Sequence, residues 1–400
     1  MTGPAAGPDV STVDEPHPRG GRHEPPPQRW YRTPWSVIAI PVGLFLVTRL
    51  VQIRVVDWMM PAGSTVRDKL LLWDATWFIE IAEIGYPPDY EYTPTGELTG
   101  STHAFFPGYP ALIRATHTVT RLDYATSALL VAWIAGAVAV TLIYLLGTDL
   151  YDQRTGLMLA VLFCTQPMSV VLGMAYSEGL FVAFVAGALL AARRGWWLVA
   201  GVVGLAGSLT RPTGAALALA LLALAVVELV RRTPKRWYAL AGALLAATGT
   251  PAYLLWVGNR LGEADAYFKL QTAGWGTEFD LGAGTTGFVL DSLRSSEGFV
   301  PISVAFILVT AVVLAVVAVW QRVWAPLSVY GFAVLVLVVG QAGYYHSKPR
   351  LLVPALLMLV PLAVAAARAR TWVAVTALTM FGLAGMWYGA HLVDIWRYAI

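Results

Sequence analysis

The run Leu71-Leu72-Trp73-Asp74-Ala75-Thr76-Trp77-Phe78 sets one carboxylate among large aromatic side chains. A carboxylate partly withdrawn from water gains basicity, which suits a general base in an aromatic-walled sugar pocket. The same residue also reads as a solvated acid on an interfacial helix, where tryptophans are ordinary anchors. Farther along, His103-Ala104-Phe105-Phe106-Pro107-Gly108-Tyr109-Pro110 is aromatic, proline-rich and too interrupted to span a membrane. Tyr176-Ser177-Glu178-Gly179 places an acid at the start of an apolar segment. Thr210-Arg211-Pro212 places a cation at the end of one, and Lys348-Pro349-Arg350 places two beside His346. Guanidinium and ammonium groups with carboxylates and aromatics suit a ligand bearing both phosphate and sugar. Taken singly, each cation also reads as a snorkelling side chain. At a span end a charge costs less than the about 2.5–3.5 kcal/mol it costs at mid-bilayer.

The elements that must position these residues are membrane spans. Of the 400 residues 57% are hydrophobic and only 13% charged, and mean hydropathy is +0.63. A soluble protein carries about twice that charge. Long uncharged stretches such as Phe299–Trp320 have the length of bilayer-crossing helices. Residues 1–33 are rich in Pro, Gly and charge and read as a disordered tail, not a cleavable signal peptide. Residues 34–400 read as one all-α transmembrane domain of about eleven spans. The spans are 35–56, 125–147, 155–173, 178–192, 196–210, 213–230, 237–257, 299–320, 324–343, 351–367 and 371–390. Those at 178–192 and 196–210 are short, so they tilt into the interior or form one re-entrant hairpin.

Basic turns set the orientation. Arg19, Arg22, Arg29 and Arg32, Arg193–Arg194, Arg231–Arg236, Arg322 and Arg368–Arg370 alternate on one side, which the positive-inside rule makes cytoplasmic. The opposite side receives the outer loop 57–124, the loop 258–298 and the short turns near 174–178, 211–212 and 344–350. Asp74, His103, Glu178, Arg211, Lys348 and Arg350 all fall on that side, although function played no part in the assignment.

Other chemistry is poorly supported. Gly282-Ala283-Gly284-Thr285-Thr286-Gly287 lacks a preceding strand pattern and reads as a flexible loop. Cys164 is the only cysteine, which excludes an intrachain disulfide and a Cys-based metal site. No dedicated metal cage is visible, and a divalent ion weakly held by Asp74 and Glu178 stays open. Leu70, Trp73, Trp77, Ile81 and Ile84 follow helical spacing and predict an interfacial amphipathic helix carrying Asp74.

In order, Trp73-Asp74-x-x-Trp77-Phe78-x-x-Ile81-Ala82-x-x-Gly85-Tyr86, Phe105-Phe106-Pro107-x-Tyr109-Pro110, Tyr176-Ser177-Glu178, Thr210-Arg211-Pro212-x-Gly214, Gln271-Thr272-Ala273-Gly274-Trp275 and Pro349-Arg350 resemble the PIG-V-type mannosyltransferases. These belong to the GT-C superfamily of membrane glycosyltransferases. The Ala-, Gly- and Arg-rich composition suggests a GC-rich bacterial, actinobacterial member. The resemblance implies a GT-C-like helical bundle in the plasma membrane, a polyprenyl-phosphate-mannose donor and transfer on the outer face. It assigns Asp74 as catalytic base.

Arg211, Lys348 and Arg350 are then candidate ligands of the donor phosphate. Trp73, Trp77, Tyr86, His103, Glu178 and Trp275 are candidates for binding sugar or acceptor, with His103 also readable as structural. Expected partners are the donor lipid, a lipid, glycan or protein acceptor and membrane lipids, with no nucleic acid. Two non-enzymatic alternatives remain: a polyprenyl-phosphate-sugar flippase or transporter, and a non-catalytic glycosyltransferase subunit. A transporter needs polar groups at the membrane midplane. The spans look nearly free of them, with Arg49 and Glu228 read as lying near span ends.

Overall fold

The structure is a computed structural model and describes residues 2–3, 35–295 and 298–400. The expected N-terminal tail falls almost entirely outside the described residues. Among them the chain is helical, with two isolated β-bridges, Tyr92 to Leu98 and Phe279 to Gln341.

Helix α1 (Ser36–Met59) leads into the short α2 (Val66–Leu70), α3 (Asp74–Glu83) and α4 (Gly108–Thr120). Next come α5 (Tyr124–Leu150), α6 (Gln153–Thr165), α7 (Glu178–Arg193), α8 (Trp197–Ser208), α9 (Gly214–Val230) and α10 (Arg236–Leu261). Then follow α11 (Ala266–Trp275), α12 (Ala283–Ser295), α13 (Phe299–Trp320) and α14 (Ala325–Val339). Helices α15 (Lys348–Leu351), α16 (Val360–Arg368) and α17 (Thr371–Asp394) complete the chain.

All eleven expected segments are helical in whole or part, but only α1, α5, α10, α13 and α17 are long and apolar enough to cross a membrane alone. A sixth crossing would need Tyr345–Leu351 and Leu356–Arg368 together, a pair bent by 74°. The expected span 155–173 is likewise broken. Helix α6 stops at Thr165, because Gln166 precedes Pro167 and takes an extended conformation (ψ 157°). A single 3-10 turn, Ser169–Leu172, follows.

That break explains Arg49, which lies in the middle of α1 and not near its end as expected. Its guanidinium donates to the carbonyls of Cys164 and Ser169, and the side chain is fully buried. A helix that stops inside a bundle leaves its last carbonyls without intrahelical partners; Arg49 supplies a donor to one of them, Cys164, and ties it to the following turn through Ser169.

Helix α7 is buried from Glu178 to Ala192 along nearly its whole length, so its shortness reflects an interior position. It packs between α5 and α8. Helix α8 lies close against α10 through small residues on both. A Cβ added at Gly201 would sit 2.6 Å from the Cα of Gly242, so only glycine permits this approach. The glycine-rich run from Gly282 is not a loop. Asp280 accepts from the amides of Gly282 (2.9 Å) and Gly284 (2.6 Å), nucleating α12 at Ala283.

Candidate active site

The helix carrying Asp74 starts later than the spacing suggested. Trp73 adopts φ 55°, ψ −114°, a strained backbone for a tryptophan, and this separates α2 from α3. The buried face of α3 is Ala75, Phe78, Ile81 and Ala82, whereas Ile84 is exposed. The expected stripe through Leu70, Trp73, Trp77 and Ile84 therefore does not exist as one face. Asp74 becomes the first residue of α3, where free amides favour a carboxylate. Glu178 holds the same position in α7.

Four segments distant in sequence meet at these two acids. Arg350 Nη1 donates to Asp74 Oδ2 at 2.6 Å, and its Nε lies 3.6 Å from Glu178 Oε1. Arg211, in the turn between α8 and α9, places Nη1 2.8 Å from Glu178 Oε1 and donates to Ser177 Oγ at 2.9 Å. The Arg350 guanidinium also stands over the Tyr176 ring, 5.1 Å from its centroid. Glu178 is fully buried, while the side chains of Asp74, Arg211 and Arg350 keep 17%, 11% and 9% of their exposure. The opening is thus on the Asp74 side. Burial raises the Asp74 carboxyl above the ordinary range, with Arg350 opposing and Glu178 adding to the rise. Two acids with two arginines make a neutral unit that an added phosphate would leave with excess negative charge, unless it displaces a carboxylate.

Aromatic rings stand beside this cluster. Trp77 stacks on Phe105 (centroids 5.8 Å apart), and Trp275 meets both, at 6.1 Å from Trp77 and 5.5 Å from Phe105. The Phe105 carbonyl accepts from Tyr86 (2.9 Å) and Tyr253 (2.8 Å), which ties the 103–110 segment to α10. Gln271 donates to the Ala104 carbonyl at 3.2 Å, bringing α11 and Trp275 to the same place. Gly108 donates its amide to the Leu209 carbonyl at 2.8 Å. A Cβ there would lie 2.7 Å from Thr210 Oγ1, so glycine lets α4 start against the turn that carries Arg211.

The remaining expected residues lie apart from the charged cluster or behind its walls. Lys348 does not face Asp74: its ammonium donates to the carbonyls of Val338 (2.7 Å) and Gln341 (2.6 Å), at the end of α14. Geometry thus separates it from Arg211 and Arg350, although all three are cations at span ends in the sequence. His103 is fully buried, with its ring against Tyr86 (5.3 Å) and Trp256 (5.8 Å). Burial, with the charge of Arg260, lowers its pKa to about 4, so it is neutral at pH 7. Trp73 acts through its backbone, ending one helix and starting the next. Among the described residues no group of three His, Cys, Asp or Glu is placed to hold a metal ion. Asp74 and Glu178, the pair considered for a divalent ion, both face guanidinium groups. Sequence reasoning passed over Ser177 and Tyr176 as site residues, although both stood in the Tyr176-Ser177-Glu178 run.

Residues 102–256 match the family model of the dolichyl-phosphate-mannose-protein mannosyltransferases. That stretch contains His103, Glu178 and Arg211, but not Asp74 or Arg350. No curated protein matches the chain in sequence. Among solved structures, apo ArnT from Cupriavidus metallidurans superposes with a TM-score of 0.50 at 16% identity, over 84% of this chain and 60% of its own. ArnT bound to undecaprenyl phosphate matches with a TM-score of 0.47 at 16% identity, over 86% of this chain and 62% of its own. The apo Archaeoglobus fulgidus oligosaccharyltransferase gives 0.48 at 15% identity, over 91% of this chain and 56% of its own. The chain thus spans less than two thirds of each of these proteins. Its fold is that of ArnT, and over residues 102–256 its sequence is similar to the dolichyl-phosphate-mannose-protein mannosyltransferases.

Proposed function

We propose that residues 34–400 form a single catalytic unit, an inverting glycosyltransferase in the plasma membrane. It moves mannose from polyprenyl-phosphate-mannose to a hydroxyl of a lipid, glycan or protein acceptor on the non-cytoplasmic face, with the N-terminus inside. The observation that carries this reading is the Asp74–Arg350 contact of 2.6 Å, set in a buried cluster with Glu178 and Arg211. The similarity of residues 102–256 to dolichyl-phosphate-mannose-protein mannosyltransferases supports the sugar and its lipid carrier.

Asp74 removes the proton from the acceptor hydroxyl as that oxygen attacks the anomeric carbon. The bond from that carbon to the phosphate oxygen breaks, and polyprenyl phosphate leaves with the bonding pair. Phosphate is a good leaving group, so cations suffice to stabilise its developing charge and no general acid is needed. Arg350 and Arg211 fill that role. A phosphate arriving beside Arg350 shares its guanidinium, weakens its hold on Asp74 and leaves the carboxylate more basic. Trp77, Phe105 and Trp275 wall the sugar, and Glu178 holds both arginines in place. Lys348 is assigned no direct phosphate contact, because carbonyls occupy its ammonium.

The test is transfer from radiolabelled polyprenyl-phosphate-mannose by the purified protein, wild type against Asp74→Asn. Loss of transfer in a folded variant is expected. Equal transfer by both would remove Asp74 as base. No transfer by the folded wild type, whatever sugar lipid or acceptor is supplied, would favour the transporter or subunit readings.

A further inference from the structure

Tyr176, Ser177 and Glu178 are consecutive, and each meets an arginine of the charged cluster. The Arg350 guanidinium stands over the Tyr176 ring at 5.1 Å, and Arg211 donates to Ser177 Oγ at 2.9 Å. Glu178 Oε1 lies within ion-pair distance of both, 2.8 Å from Arg211 Nη1 and 3.6 Å from Arg350 Nε. Yet neither Glu178 oxygen, nor Arg350 Nε, has a hydrogen-bond partner among the described residues. Glu178 therefore attracts the two cations by charge, a force without a preferred direction. Direction has to come from contacts of defined geometry, here a ring face and a hydroxyl.

The distinction matters once a phosphate enters. The hydrogen bond that Arg350 makes to a side chain goes to Asp74, at 2.6 Å, and an incoming phosphate competes for that contact. A ring and a hydroxyl are neutral, so they keep their holds on the guanidiniums while anions exchange. Both side chains are buried, each with 1% of its residue exposed. Backbone contacts fix the segment that carries them. The Ala175 amide donates to the Leu70 carbonyl at the end of α2 (3.0 Å), and Trp133 Nε1 donates to the Gly173 carbonyl (3.0 Å). The Ser177 carbonyl accepts from the Phe181 amide at the start of α7 (2.9 Å). The Tyr176 hydroxyl has no hydrogen-bond partner among the described residues, so this residue meets Arg350 through its ring face.

We propose that Tyr176 and Ser177 are positioning residues for the donor phosphate. The Tyr176 ring sets the plane of Arg350 and the Ser177 hydroxyl holds Arg211, so both guanidiniums stay aimed when Asp74 releases Arg350. This assignment rests on the proposed function, which supplies the phosphate.

The test measures binding without a sugar, so it is read separately from transfer. Full-length protein in detergent is titrated with radiolabelled undecaprenyl phosphate and, as the control without phosphate, undecaprenol. Tyr176→Met fills the space but removes the ring face. It should weaken binding of the phosphate lipid roughly tenfold and leave undecaprenol binding unchanged. Tyr176→Phe, which returns the ring, should recover most of that loss, and Ser177→Ala should weaken binding several-fold. In an Arg350→Lys background, which lacks the flat guanidinium, Tyr176→Met should add little. Wild-type affinity in both Tyr176→Met and Ser177→Ala overturns the assignment. So does an equal loss for undecaprenol, or a loss that adds in full to that of Arg350→Lys, because either makes the ring mere packing. If Tyr176→Met does not fold, Ser177→Ala carries the test, and wild-type affinity there overturns it. No binding of the phosphate lipid by the folded wild type also overturns it. The expected affinities without transfer by the wild type keep the positioning roles and remove the enzymatic reading.

Discussion

Arg49 and Arg350 are both buried, and both guanidiniums lie near an aromatic ring, Phe45 at 5.8 Å and Tyr176 at 5.1 Å. Their partners differ. Arg49 sits in the middle of α1 and donates to the main-chain carbonyls of Cys164, at the end of α6, and Ser169, in the turn that follows. Arg350 sits beside an opening and is held by the carboxylates of Asp74 and Glu178. Carbonyls cannot move away without unfolding a helix end, so the cation they hold is structural. A carboxylate can rotate or take a proton, so the cation it holds remains available to a stronger anion. Two buried arginines in one bundle thus separate into a fastener and a candidate ligand group. The polar demand that a transporter would meet at the midplane is, at Arg49, already met by the fold.

The sharpest way to break this contrast is at Asp74. Asp74→Asn keeps an acceptor for Arg350, so the fold should survive, while transfer falls about 10²–10⁴-fold through loss of the base. A variant that keeps a tenth of wild-type transfer would put Asp74 alongside Arg49 as a structural residue. The reciprocal change is Arg49→Met, which removes a buried donor from the Cys164 carbonyl at the end of α6 and costs about 1–3 kcal/mol. Denaturant unfolding in detergent should show that loss, while the rate per folded molecule stays at the wild-type value. Reduced turnover without loss of stability would contradict the structural role.

Smaller effects sharpen the comparison. Arg350→Lys keeps the charge but loses the planar fork, so a roughly ten- to hundredfold drop in kcat/KM is expected, with donor KM raised. The corresponding Arg49→Lys should leave KM unchanged. The pH dependence follows from the raised Asp74 pKa. Transfer should decline as pH falls through that value, above the ordinary carboxylate range, because the base is protonated there. A carboxyl raised in the folded state binds its proton more tightly than in the unfolded chain. Its stabilising effect is therefore full below the unfolded pKa and fades as pH rises through the folded one. Unfolding temperature measured against pH should show that slope in the wild type and lose it in Asp74→Asn.

Much of the outline was legible in the residues. Apolar runs such as Phe299–Trp320 fold as helices because any chain segment of that composition must pair its own backbone. The residues singled out for chemistry came from local oddity, a charge beside tryptophans or at a span end. Asp74, Glu178, Arg211 and Arg350 do meet. What failed was periodicity across a break. The stripe through Leu70 and Ile84 assumed one continuous helix, and a left-handed Trp73 divides it. The reading of Gly282–Gly287 as flexible missed Asp280 two residues upstream, whose carboxylate starts α12.

The sequence by itself determined the helical class, most of the turns between long helices and which side chains carry charge into an apolar setting. Those follow from composition, proline and charge spacing, all local. Only the tertiary structure decided which charges meet, because Asp74 and Arg350 are 276 residues apart and no local rule links them. It paired Arg350 with carboxylates, turned Lys348 to the α14 carbonyls and gave Arg49 to a broken helix. Cations that look alike in sequence were sorted by the partners that packing placed within reach of each.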